Sequence, residues 1–174
     1  MAPNEIYSVA QELEAHVASF AARVDQRRRR LELAVLFYTQ EKEISTWVEQ
    51  LRSEISSDDT LLSQESLDGT ERLLQQCQDQ QESTLNICMQ TIAQGEALLQ
   101  ELRLYYRSFE EIDSTGSIIA IENALERLSK QRIDLEELWS ARKMRLDLFL
   151  RLRIYERDAL EVREQKFFLI VVSY

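Results

Sequence analysis

Residues 118–146, IIAIENALERLSKQRIDLEELWSARKMRL, decide the fold of this 174-residue chain. Nine positions in the stretch follow one another in alternating steps of three and four residues, and seven of them are apolar. They are Ile118, Ile121, Leu125, Leu128, Arg132, Leu135, Trp139, Arg142 and Leu146. This spacing is typical of a helix whose apolar stripe packs against neighbouring helices. The stretch therefore predicts one long helix of a bundle.

Three further segments follow the same pattern. They are Ile6, Val9, Leu13, His16 and Phe20; Leu33, Phe37, Gln40, Ile44, Trp47 and Leu51; and Leu85, Cys88, Ile92, Gly95, Leu99, Leu102 and Tyr106. The alternation that strands show is absent until the last few residues. Three glycines and one proline suit a few long helices, because a sheet needs turn residues about every ten positions. We predict an all-α fold.

Two polar stretches interrupt the helical pattern. Ser56–Thr60 is rich in helix-capping residue types, and Asp113–Ser117 is the strongest turn signal in the chain. We therefore predict helices at 4–56, 60–108 and 117–168, with Ser63–Asp68 and Gly69 interrupting the start of the second. Helices of about 50 residues span about 75 Å, so they must supercoil or run through more than one repeat.

A short internal recurrence favours repeats. Arg30-Leu31-Glu32-Leu33 and Arg145-Leu146-Asp147-Leu148 are nearly the same phrase, 115 residues apart, and each follows a basic cluster. The predicted organisation is the end of one repeat, a complete repeat, the start of a third and a divergent apolar tail. The corresponding ranges are 1–25, 26–141, 142–164 and 165–174.

The two tryptophans carry a resemblance to spectrin repeats. Trp47 resembles the tryptophan of the first spectrin helix, and Trp139 in LEELW resembles that of the third. The phrases RRRRLELAVLFYTQEKEISTWV and LEELWSARKMRLDLFLRLRIYERDALEV resemble the spectrin repeats of the Trio and Kalirin family of Rho guanine-nucleotide exchange factors. The resemblance implies an elongated antiparallel three-helix bundle whose helices continue into flanking half-repeats. It also implies a non-catalytic scaffold or spacer that targets or regulates GTPase signalling.

The sequence departs from the pattern of that family in two places. Val24 stands near the place where the preceding repeat would carry a third-helix tryptophan, and the tail from Gln165 to Tyr174 is apolar and β-branched. We expect this tail to be non-family sequence, as in a truncated or alternatively spliced product. A disordered or artefactual end is favoured over an aggregation-prone end or a segment that docks on a neighbour.

The aromatic and aliphatic positions of the series are predicted to form the core rather than a ligand site. The structural core residues are Phe37, Trp47, Leu51, Leu85, Ile92, Leu99, Leu125, Leu135 and Trp139. His16 is predicted to pack inward on its helix. Cys77 and Cys88, about 16 Å apart on one helix, are predicted to act as small hydrophobes without a mutual disulfide.

The run Arg27, Arg28, Arg29 and Arg30 is the sharpest charge feature. We favour a solvated helix face at a repeat junction, because residues spaced by 100° wrap around the helix. The alternative is a basic interaction patch for acidic lipids or an acidic partner.

The sequence contains no motif that predicts catalysis, cofactor binding or metal binding. One histidine cannot complete a metal set or a triad, and no GxGxxG, GxxxxGK[ST] or GxSxG motif occurs. A net charge of −10 disfavours nucleic acid. The sequence also has no 18-residue apolar run and no signal-peptide pattern. We predict a cytoplasmic protein near the cytoskeleton or cell cortex.

The predicted partners are other proteins, cytoskeletal or signalling, including those of Rho-family GTPase pathways. One alternative is a free-standing coiled-coil cytoskeletal adaptor, a homodimer that pairs its half-repeats between chains. A second is a membrane-shaping helical bundle, which the negative charge disfavours.

Overall fold

Three long helices form the protein in this computed structural model, which describes residues 3–109 and 115–173. Helix α1 is Pro3–Leu62, α2 is Leu67–Phe109 and α3 is Thr115–Val172. These described ranges contain no strand. The prediction of an all-α, three-helix bundle of the spectrin-repeat kind is confirmed.

Helices α1 and α3 are parallel in the bundle. Arg127 binds Glu41 near the start of their contact, and Arg153 reaches Ser63 at its end. Residue numbers therefore rise together along the two helices.

Helix α2 runs the opposite way. Trp139 of α3 meets Thr84, whereas Glu122, earlier on α3, meets Arg103, later on α2. The three helices are thus arranged up, down and up around one apolar axis.

The core follows the three-and-four spacing of the sequence. Its buried apolar side chains are Phe37, Ile44, Val48, Leu51, Leu62, Cys77, Cys88, Leu98, Leu99, Ile121, Ala124, Leu128, Leu135, Trp139 and Leu146. These residues lie between positions 37 and 62 of α1, 77 and 99 of α2, and 121 and 146 of α3. Bundle packing therefore occupies only part of each outer helix.

Both outer helices extend beyond the bundle, at opposite ends. Every described side chain in residues 5–29 of α1 is exposed, and so is every one in residues 155–173. We call residues 3–29 the N-terminal overhang and residues 155–172 the C-terminal overhang. At 1.5 Å per residue the molecule is a rod roughly 120 Å long.

The first predicted break was wrong in position. Residues 56–60 are helical, and α1 ends at Leu62. Asp58 is buried in an ion pair with Arg142, and this pairing offsets the preference of the polar stretch for a loop. The chain turns at 63–66 instead, within the segment expected to interrupt the second helix, and the Ser66 hydroxyl accepts a hydrogen bond from the Gly69 amide as a helix cap.

The second predicted break lies partly outside the described residues, which resume at Thr115. Thr115, Gly116 and Ser117 already belong to α3. The expectation of a disordered tail was wrong for the described residues, since α3 continues through Val172. Strong helix formers such as Leu160, Glu164 and Lys166 precede the β-branched residues and propagate the helix.

Candidate interaction surfaces

The predicted core residues divide into two groups by burial. Phe37, Leu51, Leu99, Leu135 and Trp139 are buried, whereas Trp47, Leu85, Ile92 and Leu125 are half-buried and pack against them. The indole N–H of Trp139 donates a 2.9 Å hydrogen bond to the Thr84 hydroxyl. The two tryptophans are therefore unequal, because Trp47 covers the core while Trp139 lies inside it.

Polar contacts near the C-terminal end of α1 connect α3 to α1. The Arg142 guanidinium donates to both carboxylate oxygens of Asp58, at 3.0 and 3.2 Å, and also binds Glu54. Burial opposes the charge of Arg142, but Asp58 and Glu54 outweigh that cost and raise its pKa above the ordinary value. Arg142 is therefore a cation held in place by the carboxylates of Glu54 and Asp58, which lie on one face of α1.

Two more arginines of α3 bind main-chain carbonyls of α1. Arg145 donates to the Ile55 carbonyl at 2.9 Å, and Arg153 donates to those of Leu62 and Ser63 at 3.3 and 2.7 Å. The last turn of α1 has no basic residue of its own. Arg153 therefore supplies the positive charge that a helix C-terminus favours.

The sequence pattern places Arg142 on the stripe of α3 but does not indicate its partners. Asp58 lies in a stretch that predicts a loop, and no pattern distinguishes Arg153. The spacing of Glu54 and Asp58, four residues apart on one helical face, was the available signal. It was hidden because the same stretch is rich in loop-forming serine and aspartate.

The arginine run separates into different environments. Arg27, Arg28 and Arg29 are exposed, while the Arg30 guanidinium stacks 3.7 Å from the centre of the Tyr105 ring. Arg28 pairs with Glu32 across an exposed helical turn at 3.5 Å. The four side chains do not form one basic face, as the 100° spacing predicts.

A groove of about 630 Å³ opens where the N-terminal overhang passes the end of α2. Its charged lining is Arg23, Arg27 and Arg30, which lie at i, i+4 and i+7 on α1. Its aromatic and apolar lining includes Phe20, Val24, Leu31, Tyr38, Tyr105 and Tyr106. The arginines that converge on the groove are thus different from the consecutive run 27–30. Arg23 could not be predicted from that run, because it lies outside it.

The N-terminal overhang carries an apolar stripe in water. Ile6, Val9, Leu13 and Phe20 are all more than half exposed. His16, expected to pack inward, is exposed too, because no described helix covers this part of α1. A run of such side chains along one helix is typical of an interaction face.

The C-terminal overhang is also apolar and exposed. Phe167, Phe168, Leu169, Ile170, Val171 and Val172 are each exposed by more than half. Consecutive residues point around the whole helix, so this end does not present a single stripe.

Neither cysteine has the environment of a reactive thiol. Cys77 and Cys88 are both free and buried in the core, and burial raises the pKa of each thiol. Within residues 3–109 and 115–173 there is no cluster of three metal-ligating side chains. The same ranges contain no helix with the length and apolarity needed to cross a bilayer.

Comparison with known proteins shows a similarity to a spectrin chain. No family model and no solved structure matches the chain. The sequence is 29% identical over 166 residues to spectrin beta chain, non-erythrocytic 5, from Homo sapiens. The alignment covers 90% of this chain but 4% of that protein, so the chain spans a small part of its relative's length. The similarity supports a spectrin-repeat-like segment.

Proposed function

We propose that the chain is a non-catalytic scaffold and spacer segment, built from one spectrin-type repeat whose outer helices continue into flanking half-repeats. The observation that carries this proposal is the pair of overhangs at opposite ends of the bundle. Helices that cross a junction without a break hold neighbouring units at a set spacing and orientation. The similarity to a spectrin beta chain supports a cytoskeletal setting for such a spacer.

The test is the shape of the natural chain in solution. Sedimentation and small-angle X-ray scattering over a hundredfold concentration range are expected to show a monomer with a longest dimension of roughly 120 Å. Arg28→Pro interrupts α1 at the junction and should bend or loosen the rod without changing the bundle's unfolding midpoint. Arg28→Ala, which keeps the helix, is the control. A compact particle, or an unchanged shape in Arg28→Pro, contradicts a stiff spacer.

The finer assignment is to a Rho exchange factor of the Trio and Kalirin kind, in which the segment would position or restrain an exchange domain. It rests on the resemblance of the sequence around Arg30 and Trp139 to the spectrin repeats of that family. The test compares nucleotide release from a Rho-type GTPase by such a domain tethered to the natural segment or to the Arg28→Pro segment. The release rates should differ; equal rates speak against the assignment.

A homodimeric adaptor is the second candidate, favoured by the apolar side chains exposed on both overhangs. It predicts that the sedimenting mass doubles as concentration rises. The same sedimentation series therefore separates the two proposals.

A further inference from the structure

We propose that Ser63 is a phosphorylation site and that Arg153 binds its phosphate, which ties α3 to the end of α1 at the place where α3 leaves the bundle. The inference rests on the spacer function, because it makes the stiffness of this end of the rod adjustable. The contacts of Arg153 and the position of Ser63 in an exposed turn carry it.

Arg127 and Arg142 of α3 bind α1 through the same edge of the guanidinium group, the edge formed by Nε and Nη2. In Arg127 these two nitrogens lie 2.8 and 2.7 Å from one carboxylate oxygen of Glu41. In Arg142 they lie 3.0 and 3.2 Å from the two carboxylate oxygens of Asp58. Each edge therefore holds an anion that α1 supplies.

Arg153 presents the same edge to α1, but no carboxylate of α1 is bound there. Its Nη2 donates to the main-chain carbonyls of Leu62 and Ser63, at 3.3 and 2.7 Å. Its Nε is buried and has no acceptor in the part of the chain that the structure describes. Glu156 binds through Nη1 and so leaves this edge to α1. Because a buried donor without an acceptor is costly, the edge is suited to an anion.

Ser63 is placed to supply that anion once it is phosphorylated. It lies exposed in the turn after α1, and its hydroxyl donates to the Thr60 carbonyl at 2.8 Å. The Ser63 carbonyl oxygen is already 2.7 Å from Nη2 of Arg153, so a phosphate on the same residue is within reach of the edge. A phosphate carries about two negative charges and has three acceptor oxygens, which can satisfy both Nε and Nη2. An unpaired phosphate is unfavourable at the C-terminal end of a helix, so the pairing with Arg153 decides the outcome.

The sequence around Ser63 suits a serine kinase that selects glutamine at the following position. A serine or threonine followed by Gln-Glu occurs twice, at Ser63 and at Thr39. Thr39 lies in the interior of α1, where its hydroxyl donates to the Val35 carbonyl. Ser63 lies in a turn, which can enter a kinase active site without the unwinding of a helix.

The transfer step is an ordinary phosphoryl transfer. The Ser63 hydroxyl oxygen attacks the γ-phosphorus of a nucleoside triphosphate bound to the kinase. The new oxygen–phosphorus bond forms as the bond from the γ-phosphorus to the bridging oxygen breaks, and the nucleoside diphosphate leaves. The hydroxyl proton passes to the catalytic base of the kinase.

The first experiment tests Ser63 as a substrate. The full chain is incubated with a glutamine-directed serine kinase and ATP, and the phosphate is located by mass spectrometry. We expect phosphate on Ser63 and roughly tenfold less on Thr39, because a helix interior opens rarely. An absence of phosphate on Ser63, or an equal amount on Thr39, overturns the proposal.

The second experiment tests the binding of the phosphate. Phosphoserine is incorporated at position 63 of the full chain, and amide hydrogen exchange of residues 146–156 is compared with that of the natural chain. We expect exchange to be slower by about fivefold or more. A phosphorus NMR titration should show the second pKa of the phosphate below its ordinary value of about 6, because the guanidinium favours the dianion.

Matched variants separate the role of Arg153 from a general effect of charge. In the phosphorylated chain Arg153→Met should abolish both the slower exchange and the lowered phosphate pKa. Arg151→Met, which loses an exposed pairing with Asp147, should leave both unchanged. Equal effects of the two substitutions overturn the proposal.

Inorganic phosphate distinguishes the source of the anion. If inorganic phosphate slows exchange in the natural chain as much as the phosphate on Ser63 does, the edge takes a free anion and the proposal is overturned. The spacer function is judged separately, by the scattering of the unphosphorylated chain. A stiff rod whose exchange does not respond to phosphorylation at Ser63 would retain that function and refute the phosphate site.

Discussion

At the residue scale, the pair formed by Arg142 and Asp58 explains why α1 reaches Leu62. Both side chains are largely buried, with 13% and 7% of their surfaces exposed. A buried cation without a partner is costly, and so is a buried carboxylate. The pair therefore favours a helical conformation across a stretch whose serines and aspartates would otherwise form a turn.

A double-mutant cycle tests this pair. Arg142→Met leaves Asp58 buried without its cation and should lower the free energy of unfolding by about 3–5 kcal/mol. Arg142→Met combined with Asp58→Leu should recover most of that loss, because neither buried charge remains. Urea unfolding of the two single variants and the double variant measures the coupling. Additive losses would show that the pair does not act as a unit.

The buried thiols give a dependence of stability on pH. Burial raises the pKa of Cys77 and of Cys88 in the folded chain, so the unfolded chain releases these protons first. Their contribution is fully present below the unfolded thiol pKa of about 8.5 and is lost as pH rises through the folded value. Stability measured from pH 7 to 10 should fall more steeply for the natural chain than for the double variant Cys77→Ala, Cys88→Ala. Parallel curves would contradict this account.

At the element scale, Gly95 sets how closely α2 approaches its neighbours. A Cβ at this position would collide with the Phe37 ring and lie 2.7 Å from a methyl group of Leu125. Gly95→Ala should therefore lower the free energy of unfolding by about 1–2 kcal/mol, although alanine favours a helix more than glycine does. Gly116→Ala is the control, because its Cβ meets nothing within 4 Å, and it should be neutral or slightly stabilising. The unfolding midpoints of the two variants decide the matter.

The C-terminus of α1 depends on an arginine from another helix. Arg153→Met should cost about 1 kcal/mol and speed amide exchange in residues 60–63, because the last carbonyls of α1 lose their donor. Arg151→Met, which removes an exposed pairing with Asp147, should leave that exchange unchanged. Similar exchange in both variants would assign no capping role to Arg153.

Sequence pattern predicted the elements better than their ends. The spacing from Ile118 to Leu146 predicted the buried stripe of α3 because burial there depends on local helical geometry. The end of α1 could not be predicted, since it depends on Arg142 meeting Asp58, a contact between residues 84 positions apart. The arginine-lined groove could not be predicted for the same reason, because the contact between Arg30 and Tyr105 forms only when the helices pack in the bundle.

At the scale of the whole molecule, the bundle and the overhangs differ in how much of their side-chain surface is buried. The bundle contains the buried core and the polar contacts between helices, whereas the described side chains of the N-terminal overhang are all exposed. Stability should therefore be concentrated between residue 30 and residue 153. The overhangs contribute reach and binding surface, and they should open at low free energy.

This division predicts where the chain can be cut. The sequence placed the end of the complete repeat at 141, but Arg142, Arg145, Leu146 and Arg153 all bind or pack on the bundle beyond that point. A fragment of residues 26–156 should unfold in one transition with nearly the midpoint of the full chain. A fragment of residues 26–141 should be less stable by about 3 kcal/mol or more, because it exposes the Leu146 site and leaves Asp58 without its cation. Circular dichroism of the two fragments during urea unfolding tests this. Equal stability would place the boundary at 141 and would mean that the contacts of Arg142 and Leu146 add nothing to the fold.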